Sequence, residues 1–161
     1  MQTIILETKI AAPIERCFLL SLSVDLHKAS TANTKEEIID GVSNGIMKHN
    51  ETVTWRAQHF GLMLTHATLI SKYRRPTYFQ DVMTKGMFKS FEHDHHFTSL
   101  ADNTTLMRDE LRFAAPLSVP GWIAEKLVLQ RYLRHFLEER NSVIKQVAES
   151  PDVWRQFMHA D

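Results

Sequence analysis

Two histidines and an aspartate in the second half of the chain have the spacing of a polar site on one face of a β-sheet. His93 and His95 alternate with polar residues in the run Phe91 to Phe97, and Asp109 precedes Leu111 in the same phase of the next run. Side chains at i and i+2 of a strand share a face, so these three polar groups are predicted on otherwise apolar faces. A buried carboxylate needs a partner, and an imidazole supplies one. We therefore predict that Asp109 contacts His93 or His95.

Three kinds of role are open to this predicted pair. As a buried hydrogen bond it fixes the sheet and does no chemistry. As a functional group it anchors a ligand carbonyl or hydroxyl, or acts as a general base whose pKa is tuned by burial. His93 and His95 also have metal-ligand character, since imidazoles about 6 to 7 Å apart on one strand can meet one ion. Zinc would need a third ligand, for which His66 and Asp109 are candidates, and without a fixed third position no metal is predicted.

The same alternation places aromatic, sulfur-containing and further polar side chains around this pair. Trp55 and His59 share one face of their strand, whereas the phase of the run that contains His66 is ambiguous. Core packing is the alternative role for the aromatic and methionine side chains. The residues predicted to contact a ligand are Trp55, His59, His66, Phe79, Asp81, Met83, Phe91, His93, His95, Met107 and Asp109.

The hydrophobic pattern predicts the elements that hold these residues. Residues 3–10 alternate as a strand, and Pro13 begins a short helix. The polar stretch from Ser23 to Thr34 fits either a second short helix or a structured loop. The runs that follow are separated by Gly, Asn or Pro, which is typical of an antiparallel meander. These six predicted strands are Glu37 to Asp40, Thr52 to Phe60, Leu62 to Lys72, Tyr78 to Met83, Lys89 to Leu100 and Thr104 to Ala114.

A long amphipathic helix is predicted from Gly121 to Ala148. Its predicted apolar face contains Ile123, Leu127, Leu133, Phe136, Leu137, Ile144 and Val147. Arg131, Arg134 and Arg140 are assigned to solvated faces or local ion pairs. Because this helix is the only long apolar surface available to cover the sheet, the sheet must wrap around it and enclose a space that predicts a ligand cavity. Residues 149–161 form a terminal turn that either docks or remains flexible.

Several stretches of the sequence resemble the START and birch-pollen-allergen-like superfamily, also called SRPBCC. Residues 12–18 resemble its opening element, and residues 116–122 resemble its lead into the long helix. The more distinctive stretches, which resemble a bacterial subgroup, are residues 25–27 (DLH), 53–61 (VTWRAQHFG), 79–86 (FQDVMTKG) and 93–97 (HDHHF). This resemblance covers nearly the whole chain. It implies an α+β helix-grip fold, with a curved seven-stranded antiparallel sheet wrapped around the C-terminal helix and two short helices after the first strand.

The resemblance also implies a cavity for a small apolar or amphipathic molecule, although one fold hosts unrelated functions. We therefore predict binding of a small hydrophobic ligand between the sheet and the last helix. One alternative is an enzyme of the cyclase or dehydratase type, in which His93 or His95 is the base, Asp109 orients it and Trp55 shapes the substrate. The other alternative is a protein-interaction module whose cavity is collapsed.

The composition and the charge balance of the chain exclude several classes of protein. The chain of 161 residues fits one domain, and its 19 Lys and Arg balance its 19 Asp and Glu, so no net field attracts nucleic acid. Cys17 is the single cysteine and cannot form an internal disulfide. The N-terminus carries no export signal, and no apolar run reaches the ~20 residues of a membrane span. We predict one cytoplasmic domain over residues 1–161, with no cofactor and no nucleic-acid partner, and a homodimer is left open.

Overall fold

The computed structural model describes residues 1–31, 36–59, 61–115 and 122–159, with the backbone alone for residue 59 and residues 122–126. The predicted end of a strand at Phe60 and the stretch 116–121 therefore lie outside the described residues. The helices and strands in these ranges are β1 (Gln2–Ile10), α1 (Ile14–Ser21), α2 (Val24–Ser30), β2 (Glu37–Gly41), β3 (Thr52–His59), β4 (Leu62–Arg74), β5 (Tyr78–Lys85), β6 (Ser90–Ser99), β7 (Thr105–Ala114), α3 (Trp122–Glu149) and a 3-10 helix (Val153–Phe157).

Within the described ranges the strands form one seven-stranded antiparallel sheet in the order β1-β7-β6-β5-β4-β3-β2. From β2 to β7 each strand pairs with the next one in sequence, so the predicted meander is confirmed. β1 pairs with β7, from Gln2 opposite Phe113 to Ile10 opposite Thr105. β4 and β5 each continue two residues beyond their predicted ends.

Local hydrogen bonds explain the second short helix and the docked C-terminal turn. Ser23 caps α2, because its Oγ accepts a hydrogen bond from the Leu26 backbone N–H at 3.2 Å. The first part of the stretch left open in the sequence is therefore a helix. Ser150 Oγ accepts from the Trp154 N–H at 3.3 Å, and the Arg16 guanidinium lies 4.2 Å from the centre of the Trp154 ring. These contacts dock the 3-10 helix.

α3 packs along one face of the sheet. Leu133 and Leu137 contact a cluster that includes Leu111 and Phe113, and Ile144 belongs to a second buried cluster. No helix among the described residues is long and apolar enough to cross a membrane.

One prediction for α3 is wrong, because Leu127 is 53% exposed although its type placed it on the apolar face. For Arg140, which was assigned to a solvated face or a local ion pair, the structure shows the ion pair: the side chain is buried, and Nη1 lies 3.9 Å from Asp109 Oδ1. The helical repeat of about 100° per residue explains both, since Leu127 lies about 120° around the helix from buried Leu133 and Arg140 lies about 20° from it. Angular position therefore decides the burial of these two side chains, and residue type does not.

Candidate functional site

A cavity of about 190 Å³ lies between the sheet and α3. Its walls are the inward faces of β3 to β7, the side of α3 that contains Leu133 and Leu137, and the turn between α1 and α2. Its aliphatic and aromatic lining includes Val53, Trp55, Ala57, Leu64, Ile70, Phe79, Phe88, Phe91, Leu111, Tyr132, Leu133, Phe136 and Leu137. The lining of the cavity is therefore mostly apolar.

The structure places six of the predicted ligand residues on this lining: Trp55, His66, Phe79, Asp81, Phe91 and His93. Met83, His95, Met107 and Asp109 are not part of it. Met107 is fully buried, and its sulfur accepts a hydrogen bond from the Ser21 hydroxyl at 3.5 Å. Period two predicts the face of a strand residue but not its depth, and Met107 lies beneath α1 rather than at the cavity. The side chain of His59 lies outside the described residues.

Asp81, His93, His95 and Asp109 form one buried polar cluster on three adjacent strands. Strand register builds it, because Asp81 pairs with His93 across β5 and β6, and His95 pairs with Asp109 across β6 and β7. His93 Nε2 lies 2.9 Å from Asp109 Oδ1, and His95 Nε2 lies 2.8 Å from Asp81 Oδ2. His95 Nδ1 is also 2.9 Å from Asp109 Oδ1, but outside hydrogen-bond geometry. The predicted contact of Asp109 is thus confirmed for both histidines.

α3 completes the surroundings of Asp109 with two side chains that the sequence analysis missed. Asn141 Nδ2 donates to Asp109 Oδ2 at 2.7 Å, and Arg140 Nη1 lies 3.9 Å from Asp109 Oδ1. Arg140 Nη2 donates to the Ser21 carbonyl at 3.1 Å, which holds the guanidinium in place. Their burial could have been predicted from the sequence, because they follow Leu133 by seven and eight residues and so lie on the same side of the helix.

Burial and close contacts set the protonation of the polar cluster. Burial raises the pKa of Asp81, but the hydrogen bond with His95 and the charges of both imidazoles outweigh it and lower that pKa to about 2. Burial also raises the pKa of Asp109, and its contacts with His93 and His95 bring it well below the usual range. For His95, burial lowers the pKa, but the two carboxylates raise it above normal. Burial and the charge of His95 lower the pKa of His93, so His93 is the less readily protonated imidazole.

Comparison with known proteins yields matches only at the level of structure. No protein-family model and no curated protein matches the sequence. The solved structure of TTHA0849 from Thermus thermophilus superposes with a TM-score of 0.70 at 17% identity, covering 92% of this chain and 100% of that chain. A START superfamily protein from Mycobacterium smegmatis matches with a TM-score of 0.66 at 16% identity, covering 90% and 98%. The chain has the helix-grip fold.

A third match extends this likeness beyond bacteria. Ginseng major latex-like protein 151 from Panax ginseng superposes with a TM-score of 0.63 at 16% identity, covering 92% of this chain and 98% of that chain. Each match covers nearly the full length of both chains. The resemblance stated from the sequence is therefore confirmed for the helix-grip fold as a whole.

In this helix-grip fold the polar cluster faces the cavity through Asp81 and His93, and Arg140 lines the cavity beside them. His93 contacts the Asp109 carboxylate through Nε2 and also lines the cavity. A polar anchor or a general base has this geometry. Asp81, His93 and His95 also present nitrogen and oxygen atoms that all lie within 4.8 Å of one another. The third position beside the two histidines is thus occupied by Asp81, whereas the candidates named from the sequence were His66 and Asp109.

A second polar group lines the cavity next to Trp55. The His27 ring lies 4.5 Å from the Trp55 ring, centre to centre, and its Nε2 lies 2.9 Å from Glu36 Oε2. His27 and Glu36 were not among the predicted ligand residues. Glu36 comes after a stretch outside the described residues, and sequence pattern alone does not bring it against α2.

Proposed function

We propose that the protein binds a small, largely apolar molecule of one or two rings in this cavity. The volume of about 190 Å³ carries the proposal. An apolar cavity of about 150 Å³ takes a benzene molecule, whereas pockets for drug-sized ligands measure about 300 to 1,000 Å³. A ligand the size of a sterol would exceed this volume.

The lining supports a ligand with one polar end. Asp81, His93 and Arg140 form a polar corner in an otherwise apolar wall. Arg140 Nη1 has no hydrogen-bond partner among the described residues, and the side chain is buried. A buried donor without a partner is costly, so an oxygen atom of the ligand placed near Arg140 would be favourable.

An open cavity supports small-molecule binding over a protein-interaction module with a collapsed cavity. The lining side chains leave the space unfilled, although the surrounding core contains fully buried residues such as Phe18 and Met107. Calorimetric titration with 2-naphthol, a two-ring phenol, tests the proposal directly. Saturable binding of one molecule per chain is expected, and the absence of binding at the solubility limit of 2-naphthol would contradict the size class that we propose.

Trp55 provides an optical test of where the probe lies. Its ring is 7% exposed and lines the cavity, so bound 2-naphthol is expected to change the tryptophan emission of the wild-type protein. Trp55→Phe keeps an aromatic ring at this position and is expected to bind the probe without that change in emission. Emission is followed beside calorimetry for both proteins. An identical emission change in Trp55→Phe would show that the probe binds elsewhere.

Filling the cavity tests the proposal without removing a contact. Ala57 is buried and lines the cavity, so Ala57→Leu would place its added atoms in the empty space. We expect the affinity for 2-naphthol to fall by about tenfold or more, which corresponds to ~1.4 kcal/mol, with little change in melting temperature. Ala29→Leu is the matched control, because Ala29 is exposed on α2. Equal affinities in the two variants would place the binding site outside the cavity.

A further inference from the structure

We propose that Asp81, His93 and His95 form a binding site for one divalent transition-metal ion, with Zn²⁺ or Co²⁺ as suitable probes. The ligand atoms are Asp81 Oδ2, His93 Nδ1 and His95 Nε2. Two imidazoles and one carboxylate make a donor set that suits such ions. The proposal concerns the polar cluster and does not depend on which organic molecule occupies the cavity.

The distances between the ligand atoms suit a tetrahedral ion. Ligands about 2.0 to 2.1 Å from a tetrahedral ion lie roughly 3.3 to 3.5 Å from one another. Asp81 Oδ2 lies 2.8 Å from His95 Nε2 and 3.9 Å from His93 Nδ1, so these two distances bracket that range. The ligand atoms of the three residues all lie within 4.8 Å of one another, so binding of an ion requires the two imidazoles to close on it.

Asp109 contacts both imidazoles, His93 through a hydrogen bond and His95 through a close charge contact. Its Oδ1 lies 2.9 Å from the remaining ring nitrogen of each histidine, His93 Nε2 and His95 Nδ1. The other nitrogen of each ring is thereby turned toward Asp81. A carboxylate behind a metal-binding histidine commonly sets the ring orientation and raises the basicity of the ligand. Asn141, which donates to Asp109 at 2.7 Å, holds this carboxylate in turn.

The convergence of acceptor atoms gives a physical reason for a cation. His95 Nε2 is hydrogen-bonded to Asp81 Oδ2, and His93 Nε2 is hydrogen-bonded to Asp109. When His93 donates through Nε2, the lone pair of its Nδ1 faces the Asp81 oxygen at 3.9 Å, and these two acceptor atoms repel one another. A single proton at the 2.8 Å contact between His95 and Asp81 satisfies two of the three atoms, whereas an ion satisfies all three. The carboxylates of Asp81 and Asp109 bring two negative charges to the ion, and the Arg140 guanidinium, 3.9 Å from Asp109, offsets one of them.

The proposed site also has an open coordination position. Asp81 and His93 line the cavity, so the side of the ion away from His95 would face the cavity. Three protein ligands with a fourth position left for water or for a ligand oxygen are typical of metal sites that act on small molecules. The cavity and the ion would then contact the same bound molecule.

The test is a titration of the full-length, chelator-treated and desalted protein with Co²⁺, followed by visible absorption, and with Zn²⁺, followed by calorimetry. No organic ligand is added, so this experiment succeeds or fails separately from the 2-naphthol titration. One ion per chain is expected, with the d–d absorption of Co²⁺ bound by nitrogen and oxygen. Wild-type protein that binds neither ion, or binds them without a defined stoichiometry, would overturn the proposal.

Variants assign the ligands. Asp81→Asn and His95→Gln are each expected to lower the affinity for Zn²⁺ at least tenfold, whereas His96→Gln, which alters the next side chain on the opposite face of β6, is the matched control and should not. Asp109→Asn, which changes a positioning residue, is expected to lower the affinity roughly 10- to 100-fold and to alter the Co²⁺ spectrum. Equal affinities of Asp81→Asn, His95→Gln and wild type would overturn the assignment.

A measurement on the wild-type protein alone tests the proposal if these variants do not fold. NMR of the histidine rings in wild-type protein is expected to show Zn²⁺ shifting the signals of His93 and His95 at one equivalent. Shifts confined to other histidines, such as exposed His135, would overturn the proposal just as firmly.

Discussion

Leu133→Asp is expected to unfold the protein, whereas Leu127→Asp should leave its stability almost unchanged. Leu133 is 8% exposed and packs with Ile4, Leu111 and Phe113 between α3 and the sheet. An unpaired carboxylate there would cost about 4 kcal/mol or more, a large part of the roughly 5 to 15 kcal/mol that stabilises a domain. Leu127 is 53% exposed, and a change there should stay within about 0.5 kcal/mol.

Urea and thermal unfolding followed by circular dichroism measure both variants. The two substitutions make the same chemical change on one helix. The contributions of helix propensity and net charge to stability therefore cancel when the two variants are compared. A Leu133→Asp protein as stable as Leu127→Asp would mean that this side of α3 does not pack on the sheet. The position of the cavity would then be wrong as well.

Asp109→Ala is expected to lower the free energy of unfolding by about 3 to 5 kcal/mol. Asp109 is fully buried and is contacted by His93, His95, Arg140 and Asn141. Its removal would leave buried donors and the Arg140 charge without the carboxylate that compensates them. The measurement is urea unfolding at neutral pH.

Glu92→Ala is the control for this prediction. Glu92 on the neighbouring strand contacts Arg112 at 3.1 Å, but its side chain is 49% exposed, so the pair should contribute only about 0 to 1 kcal/mol. The affinity for 2-naphthol is measured on both variants. If Asp109→Ala costs no more than Glu92→Ala, the buried cluster does not stabilise the sheet.

Strand residues of the candidate site were predictable because a β-sheet obeys simple geometry. Period two puts His93 and His95 on one face, and a meander places their strand beside the strand of Asp109. The same rule gave Asp81 the inward face of its strand, although apolar residues on both faces made that phase less distinct. Sequence reasoning was therefore sufficient to bring His93, His95 and Asp109 together, whereas the contacts of Asp81 with the two histidines were not predicted.

Helix residues of the site were not predicted, because hydropathy was used to assign the faces of α3. Arg140 was assigned to a solvated face or a local ion pair, and Asn141 was not considered. Both are buried by their angle relative to Leu133. Cavity size was also beyond the sequence. It depends on how far the sheet curves away from α3 and on which side chains stop short of the gap, as the burial of Met107 outside the cavity shows.

The pairing of β1 with β7 has a consequence for how the protein folds. Gln2 lies in the first strand along the chain and Phe113 in the last, and the two residues must meet for this pairing to form. Contacts between distant residues slow folding, because the chain loses the entropy of a long loop before it gains the contact. The hairpins from β2 to β7 can form locally during synthesis, but β7 keeps an unpaired edge until β1 docks, and an unpaired edge invites aggregation. Asp109 lies on that strand, so the candidate site would be among the last parts of the molecule to be assembled.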